Sequence, residues 1–382
     1  MGISKHFGLI FLIVWACTAI SCKKEAYSDR IFFGGQIVNP SSTYVTLYKD
    51  NKTIDSLPLN LNYRFFKYYD SLDSGIYKIE HIPEYKSVFL EKGDSIWTRI
   101  NASSFDESIV FSGRGSAKNN YMMDLLLNFE KENNFLSSKY SSDSKTFTKL
   151  IDSLLMEKKK KWIVMDSINQ LSPIAQKITQ AAYIYPYATR KERYALLRGT
   201  FWDKKRDSVY FDYRKYLSLS ETDLAFFDPY INYLLNYLSE KALENNENYF
   251  KSRQKTNFNI KRLQLIKSNI RGNVLRNNLS RAVAFEELMK IENNEHHEKF
   301  LQQFFLVNTS KSYLKEVLDL HNDIENMSTG KKLPRLAINA PAKEKSTPMR
   351  MALSRPAFSN LEMSNNKNVI NKDPMGKCST KG

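Results

Sequence analysis

The chain has 382 residues, 42% of them apolar and 26% charged, which is enough for two or three cored domains and excludes disorder as its general state. Three cysteines, Cys17, Cys22 and Cys378, exclude a disulfide-stapled scaffold, a four-cysteine metal or iron–sulfur site and a Cys-x-x-Cys redox pair; five histidines without H-E-x-x-H spacing exclude the commonest zinc-hydrolase signature. Of the +16 formal charge, residues 331–382 hold eleven Lys or Arg against three Asp or Glu, and the remaining +8 is spread over the first 330 residues; with no groove-reading motif beside it, no nucleic-acid partner is expected.

The first segment predicts export. Lys5 precedes an apolar run from Phe7 to Cys17, extended through Ile20, which is shorter than the roughly 20 residues of a membrane span and fits a signal-peptide core. Ala19-Ile20-Ser21-Cys22 followed by Lys23-Lys24-Glu25 resembles a bacterial lipobox. The resemblance implies cleavage after residue 21 and acylation of Cys22, and two or three acyl chains anchor a protein stably. An ordinary secretory signal with incidental cysteines is the alternative. Residues 1–21 are thus read as leader and 22–29 as linker.

From Arg30 to Phe111 the apolar period is two and turn residues recur, which predicts about eight short strands: Ile31–Val38, Tyr44–Tyr48, Thr53–Leu57, Tyr63–Tyr68, Ile76–Ile82, Lys86–Leu90, Ser95–Ile100 and Ser108–Phe111. Asp50-Asn51 reads as a tight hairpin turn. Strands so spaced without intervening helices predict an antiparallel β-sandwich or small barrel over residues 30–115.

At Ser112-Gly113-Arg114-Gly115-Ser116-Ala117-Lys118 the pattern turns helical. The stretch lacks the spacing of a phosphate-binding loop and reads as a strand-to-helix elbow with Ser116 as N-cap. Helical stripes follow at Tyr121–Phe129, Phe147–Met165, Ile174–Tyr185 after Ser172-Pro173, Ile231–Ala242 after Pro229, Leu263–Val274, Phe285–Met289, Phe300–Val307 and Tyr313–Ile324. No fixed repeat period exists. An all-α domain over 116–330 is expected, giving an α+β multidomain chain.

Four constellations inside that domain invite chemistry. Glu295-His296-His297-Glu298 offers metal ligands, but adjacent helical residues point about 100° apart, so solvated surface is expected. Lys158–Lys161 offers a contact for anionic lipid, yet Lys158 falls on the apolar stripe, where its stem can lie on the core with its charge in water. Tyr183, Tyr185 and Tyr187 around Pro186, and Phe226-Phe227 before Pro229, are candidates for a ligand cleft or, preferably, for core packing at a helix–loop junction. No catalytic, cofactor-binding or metal-ligating residue is identified, and no cofactor is expected.

Taken together, the lipobox, Val88-Phe89-Leu90-Glu91-Lys92-Gly93-Asp94-Ser95, the Phe111–Asn120 elbow and the long helical segment resemble Bacteroidota envelope lipoproteins of the TlpA/ResA thioredoxin-like type. The resemblance spans about residues 1–336 and implies an outer-membrane lipoprotein of the cell envelope. In that family, a stretch like Gly330-Lys331-Lys332-Leu333-Pro334 leads into a thioredoxin domain with a Trp-Cys-x-x-Cys pair. Here 48 residues follow Pro334, with one aromatic, Phe358, and four further prolines. That composition predicts a disordered basic tail over 331–382, the remnant of a truncated or frameshifted domain or a natural short variant. The expected function is a lipid-anchored, redox-inactive envelope protein. Alternatives are a non-enzymatic binding or scaffolding lipoprotein for a protein or glycan, and an enzyme whose site lies between the two domains.

Overall fold

The computed structural model describes residues 29–198, 208–243, 248–290 and 294–326. The leader, Cys22 and the tail over 331–382 lie outside the described residues. Among the described residues the chain is α+β, with eight strands over 31–114 and, apart from a short helical stretch at 102–108 before the last of them, the helices after.

The strands are β1 (Ile31–Val38), β2 (Tyr44–Lys49), β3 (Lys52–Pro58), β4 (Arg64–Tyr69), β5 (Gly75–His81), β6 (Glu84–Leu90), β7 (Ser95–Asn101) and β8 (Val110–Arg114). Every alternating segment forms a strand. Between β2 and β3 both Asp50 and Asn51 adopt positive φ (51° and 60°), with Lys49 opposite Lys52, the turn whose twist matches a hairpin. The strands make two four-stranded sheets, ordered β4-β1-β7-β8 and β3-β2-β5-β6. Ile31, Phe33, Ile96 and Ile100 from the first meet Val45, Leu47, Tyr77 and Val88 from the second in one buried core, so the architecture is a sandwich. One pairing departs from the antiparallel expectation: β1 and β7 run parallel, with Gly34 opposite Trp97. Local patterning registers hairpins between consecutive strands, whereas this pair forms only after β4 has taken the other edge of β1 and β2, β3, β5 and β6 have built the second sheet.

The longer helices are α1 (Ser116–Ser137), α2 (Ser144–Asn169), α3 (Pro173–Arg198), α4 (Asp228–Ala242), α5 (Thr256–Asn269), α6 (Asn273–Leu288), α7 (Asn294–Phe305) and α8 (Lys311–Asn326). Ser172 Oγ caps α3 by accepting the Ala175 N–H at 3.2 Å, ahead of Pro173. Two helical expectations change. The stripe Leu263–Val274 is broken by Gly272 at φ 86°, so Val274 belongs to α6 and is exposed. Helix α3 continues through Pro186 to Arg198 instead of ending there. Pro186 has no N–H to give the Ala182 carbonyl, but burial of the flanking tyrosines holds the helix together. Phe89 of β6 belongs to the helical core, and Ile76 of β5 packs against it, so sandwich and helices share apolar contacts. Among the described residues no helix is long and apolar enough to cross a membrane.

Candidate functional site

The turn between β6 and β7 meets the start of α1, so the two motifs Glu91–Ser95 and Gly113–Lys118 form one structure. Gly115, at φ 87°, caps α1, and Ser116 is its first residue and not the expected N-cap. A Cβ on Gly115 would lie 1.9 Å from Asp94 Oδ1, and one on Gly113, 2.1 Å from the Ser95 carbonyl oxygen; close approach demands glycine at both. A carboxylate therefore sits against the head of α1, where a phosphate-binding loop would keep room for its anion. The buried Lys118 ammonium lies 2.5 Å from Glu91 Oε1 and 2.9 Å from Asp94 Oδ1, with the Phe89 ring beneath it at 4.8 Å. The second Glu91 oxygen accepts the Ser172 hydroxyl at 2.5 Å, tying α3 to the same cluster.

Burial pushes the Asp94 carboxyl above its ordinary value, against the pull of Lys118. The folded state then holds its proton to higher pH than the unfolded state. The Asp94 contribution to stability is greatest below the unfolded value of about 3.9 and declines as pH rises through the folded one. Urea unfolding of wild type and Asp94→Asn should show the wild type losing ground to the variant as pH is raised from about 4. The opposite trend would mean that Lys118 outweighs burial.

Asn119 and Asn120 follow directly, and each clasps a sheet edge. Asn119 accepts the Phe89 N–H at 2.8 Å and donates to the Phe89 carbonyl at 2.9 Å, while Asn120 does the same for Phe111 at 2.9 and 2.8 Å. Phe89 lies on β6 and Phe111 on β8, the edges of the two sheets on one side of the sandwich. Each side-chain amide thus mimics one residue of a further strand, and α1 covers both edges at these two points.

Beyond Asn119 a groove of about 850 Å³ opens between β5–β6 and helices α1, α3 and α4. Its apolar lining includes Met122, Leu126 and Phe129 of α1, Pro186 of α3, and Phe227 with Pro229 at the head of α4. Of the aromatic candidates, Phe227 therefore reaches a cleft, as do both prolines. Tyr183, Tyr185 and Tyr187 are core, Tyr185 packing on Tyr230 and Tyr233 with ring centroids 4.7 and 5.4 Å apart. The charged lining is largely engaged: Lys86 with Asp106 at 2.7 Å, Asp228 with Lys78 at 3.2 Å, and Arg190 with Glu132 at 2.9 Å. Asn236 differs. It is 4% exposed, its Nδ2 donates to the Asn232 carbonyl at 2.7 Å, and its Oδ1 has no hydrogen-bond partner. A buried acceptor left unmet costs about 1–3 kcal/mol, so this amide is a polar point of local cost on the groove wall. An amide inside a helix otherwise dominated by Tyr and Leu was the signal that sequence reading passed over.

Two other expectations fail. His297 is buried, its ring 5.9 Å from that of His321, so the Glu295–Glu298 segment is not simply solvated surface. Among the described residues no group of three or more potential ligands is placed to hold a metal. Lys158 is also buried and does not reach water; its ammonium lies 2.8 Å from Glu132, which Arg190 shares, while Lys159–Lys161 are exposed as expected. His297 packs on a face that pattern alone assigned to solvent, whereas Lys158 lies on its apolar stripe as expected but has its charge paired inside the fold.

Comparison of the chain with family models, with curated proteins and with solved structures finds no match.

Proposed function

We propose that this is a lipid-anchored cell-envelope protein, similar to the non-catalytic part of thioredoxin-like lipoproteins, that holds a protein partner in the groove between sandwich and helices. The lipobox-like run at Ala19–Cys22 supports the anchor. The observation that carries the binding half is the groove itself: an open apolar lining, charges mostly paired within the chain, and the polar Asn236 on its wall. Thiol–disulfide exchange needs an attacking and a resolving thiol, and the chain has no Cys-x-x-Cys pair to supply them. Binding without turnover is the reading the lining favours, since its carboxylates and cations face partners of opposite charge within the fold.

Anchoring is tested by Cys22→Ser. The wild type should take up labelled palmitate and sediment with membranes, and the variant should lose the label and appear in the soluble fraction. An unlabelled variant that still sediments with its leader uncut would replace the lipid anchor with a signal anchor.

A further inference from the structure

Strand β6 is an edge strand, and its outer face is only partly covered. In its antiparallel pairing with β5, residues alternate between those whose N–H and C=O both point to the neighbour and those whose groups both point away. Phe89 is of the second kind, because both its backbone groups bond Asn119. Ser87 follows at period two, presents its groups on the same side as Phe89 and lines the groove, as does Tyr85 beyond it. The Asn119 amide therefore occupies the first place of a ladder that continues, at Ser87, into open space.

On the helical side Pro186, which has no N–H, and Asn236 line the same space. An alkyl chain leaves the outward groups of the strand edge without partners. An extended polypeptide meets both walls at once: its alternate N–H and C=O groups pair with the strand edge on one side, and its other edge lies along the helices. Its side chains meet Met122, Leu126 and Phe129 on the apolar lining.

Resting on the groove reading above, we propose that the partner is an extended protein segment that adds a strand to β6, starting beside Asn119 and running past Ser87 toward Pro83. A cross-strand ladder supplies affinity with little demand on sequence, and the apolar lining selects side chains at every second position.

The test uses the full chain in detergent and a random heptapeptide library displayed on phage, seven residues being roughly 23 Å of extended chain. An enriched peptide is resynthesised with a fluorophore and titrated by anisotropy. Ser87→Pro removes the outward N–H without touching the β5 ladder, a place where an edge strand tolerates proline, and should weaken the peptide by about tenfold or more. Ser87→Ala, which keeps the backbone donor, should stay within about twofold. Asn236→Leu should also weaken binding, locating the peptide in the groove. Circular dichroism and urea midpoints check that each variant folds.

Binding that is lost in Asn236→Leu but equal in wild type and Ser87→Pro would overturn strand addition and leave the groove reading standing. Enrichment of no peptide, with 1-N-phenylnaphthylamine bound by the wild type and not by Asn236→Leu, would overturn it in favour of a small apolar ligand. Binding indifferent to both substitutions, or of neither probe, would remove the groove reading as well.

Discussion

Replacing Lys118 by Met lowers the free energy of unfolding by about 3–5 kcal/mol, a large part of the roughly 5–15 kcal/mol typical of folded domains. Lys118 is 2% exposed and is the shared cation of Glu91 and Asp94, which are themselves largely buried. Methionine fills nearly the same volume, so the loss reports two carboxylates left in low dielectric without their counter-charge. The effect reaches beyond one element, because Glu91 also holds Ser172 at the head of α3 and Asp94 abuts Gly115 at the head of α1. A neutral triple variant, Glu91→Gln, Asp94→Asn and Lys118→Met together, should recover much of the loss, as buried ion clusters commonly tolerate wholesale neutral replacement. Urea unfolding with an unchanged slope measures both. A triple variant no more stable than the single would show that shape, and not charge, sets the requirement at Lys118.

The same cluster shows what was legible in the sequence. Strands β1 to β8 were readable because each alternates apolar and polar residues between turn residues that chain chemistry restricts, such as Asp50-Asn51. Glu91–Asp94 and Gly113–Asn120 were visible as turns, but their union was not, since no periodicity encodes that Lys118 finds two carboxylates more than twenty residues away. The parallel β1–β7 pair was hidden for the same reason. Burial of His297 depends on a second helix face, about which a single amphipathic stripe gives no information, and the buried charge of Lys158 depends on Glu132, which another helix brings to it. The groove falls between these cases. Pro186, Phe227 and Pro229 stood out as residues, but the space they line exists only once β6, α1 and α4 are brought together. Asn236 and Ser87 carried no pattern at all, because their place on the groove wall exists only in the folded chain.

Substitution of Arg214 by Met should cost about 3–5 kcal/mol near neutral pH, and the deficit should shrink in acid. Arg214 lies in the turn Ser208–Tyr216 and bonds Glu192 of α3 through both Nε, at 2.8 Å, and Nη2, while Nη2 also donates to Glu240 of α4 at 2.8 Å. Both carboxylates are buried, so one planar fork holds two charges inside the fold. Burial already pushes the Glu192 carboxyl above its ordinary value, with Arg214 pulling the other way. Removing the guanidinium leaves burial opposed only by the hydrogen bond from the Tyr213 hydroxyl and raises it further. In the variant the folded state then binds a proton that the unfolded state, titrating near 4.3, has released, so stability falls as pH rises through the interval between the two values. The gap between wild type and Arg214→Met should therefore be narrow at about pH 4.5 and wide at about pH 8. A gap constant over that range would assign the loss to packing on Phe211, whose ring lies 3.9 Å from the guanidinium carbon. Arg214→Lys should rescue little, since one ammonium cannot reproduce the two-point bond to Glu192 while reaching Glu240. Because Glu192 and Glu240 sit on the two helices that carry Pro186 and Asn236 into the groove, the same variant should weaken the enriched peptide. Loss of stability with peptide affinity intact would show that α3 and α4 keep their spacing without the bridge.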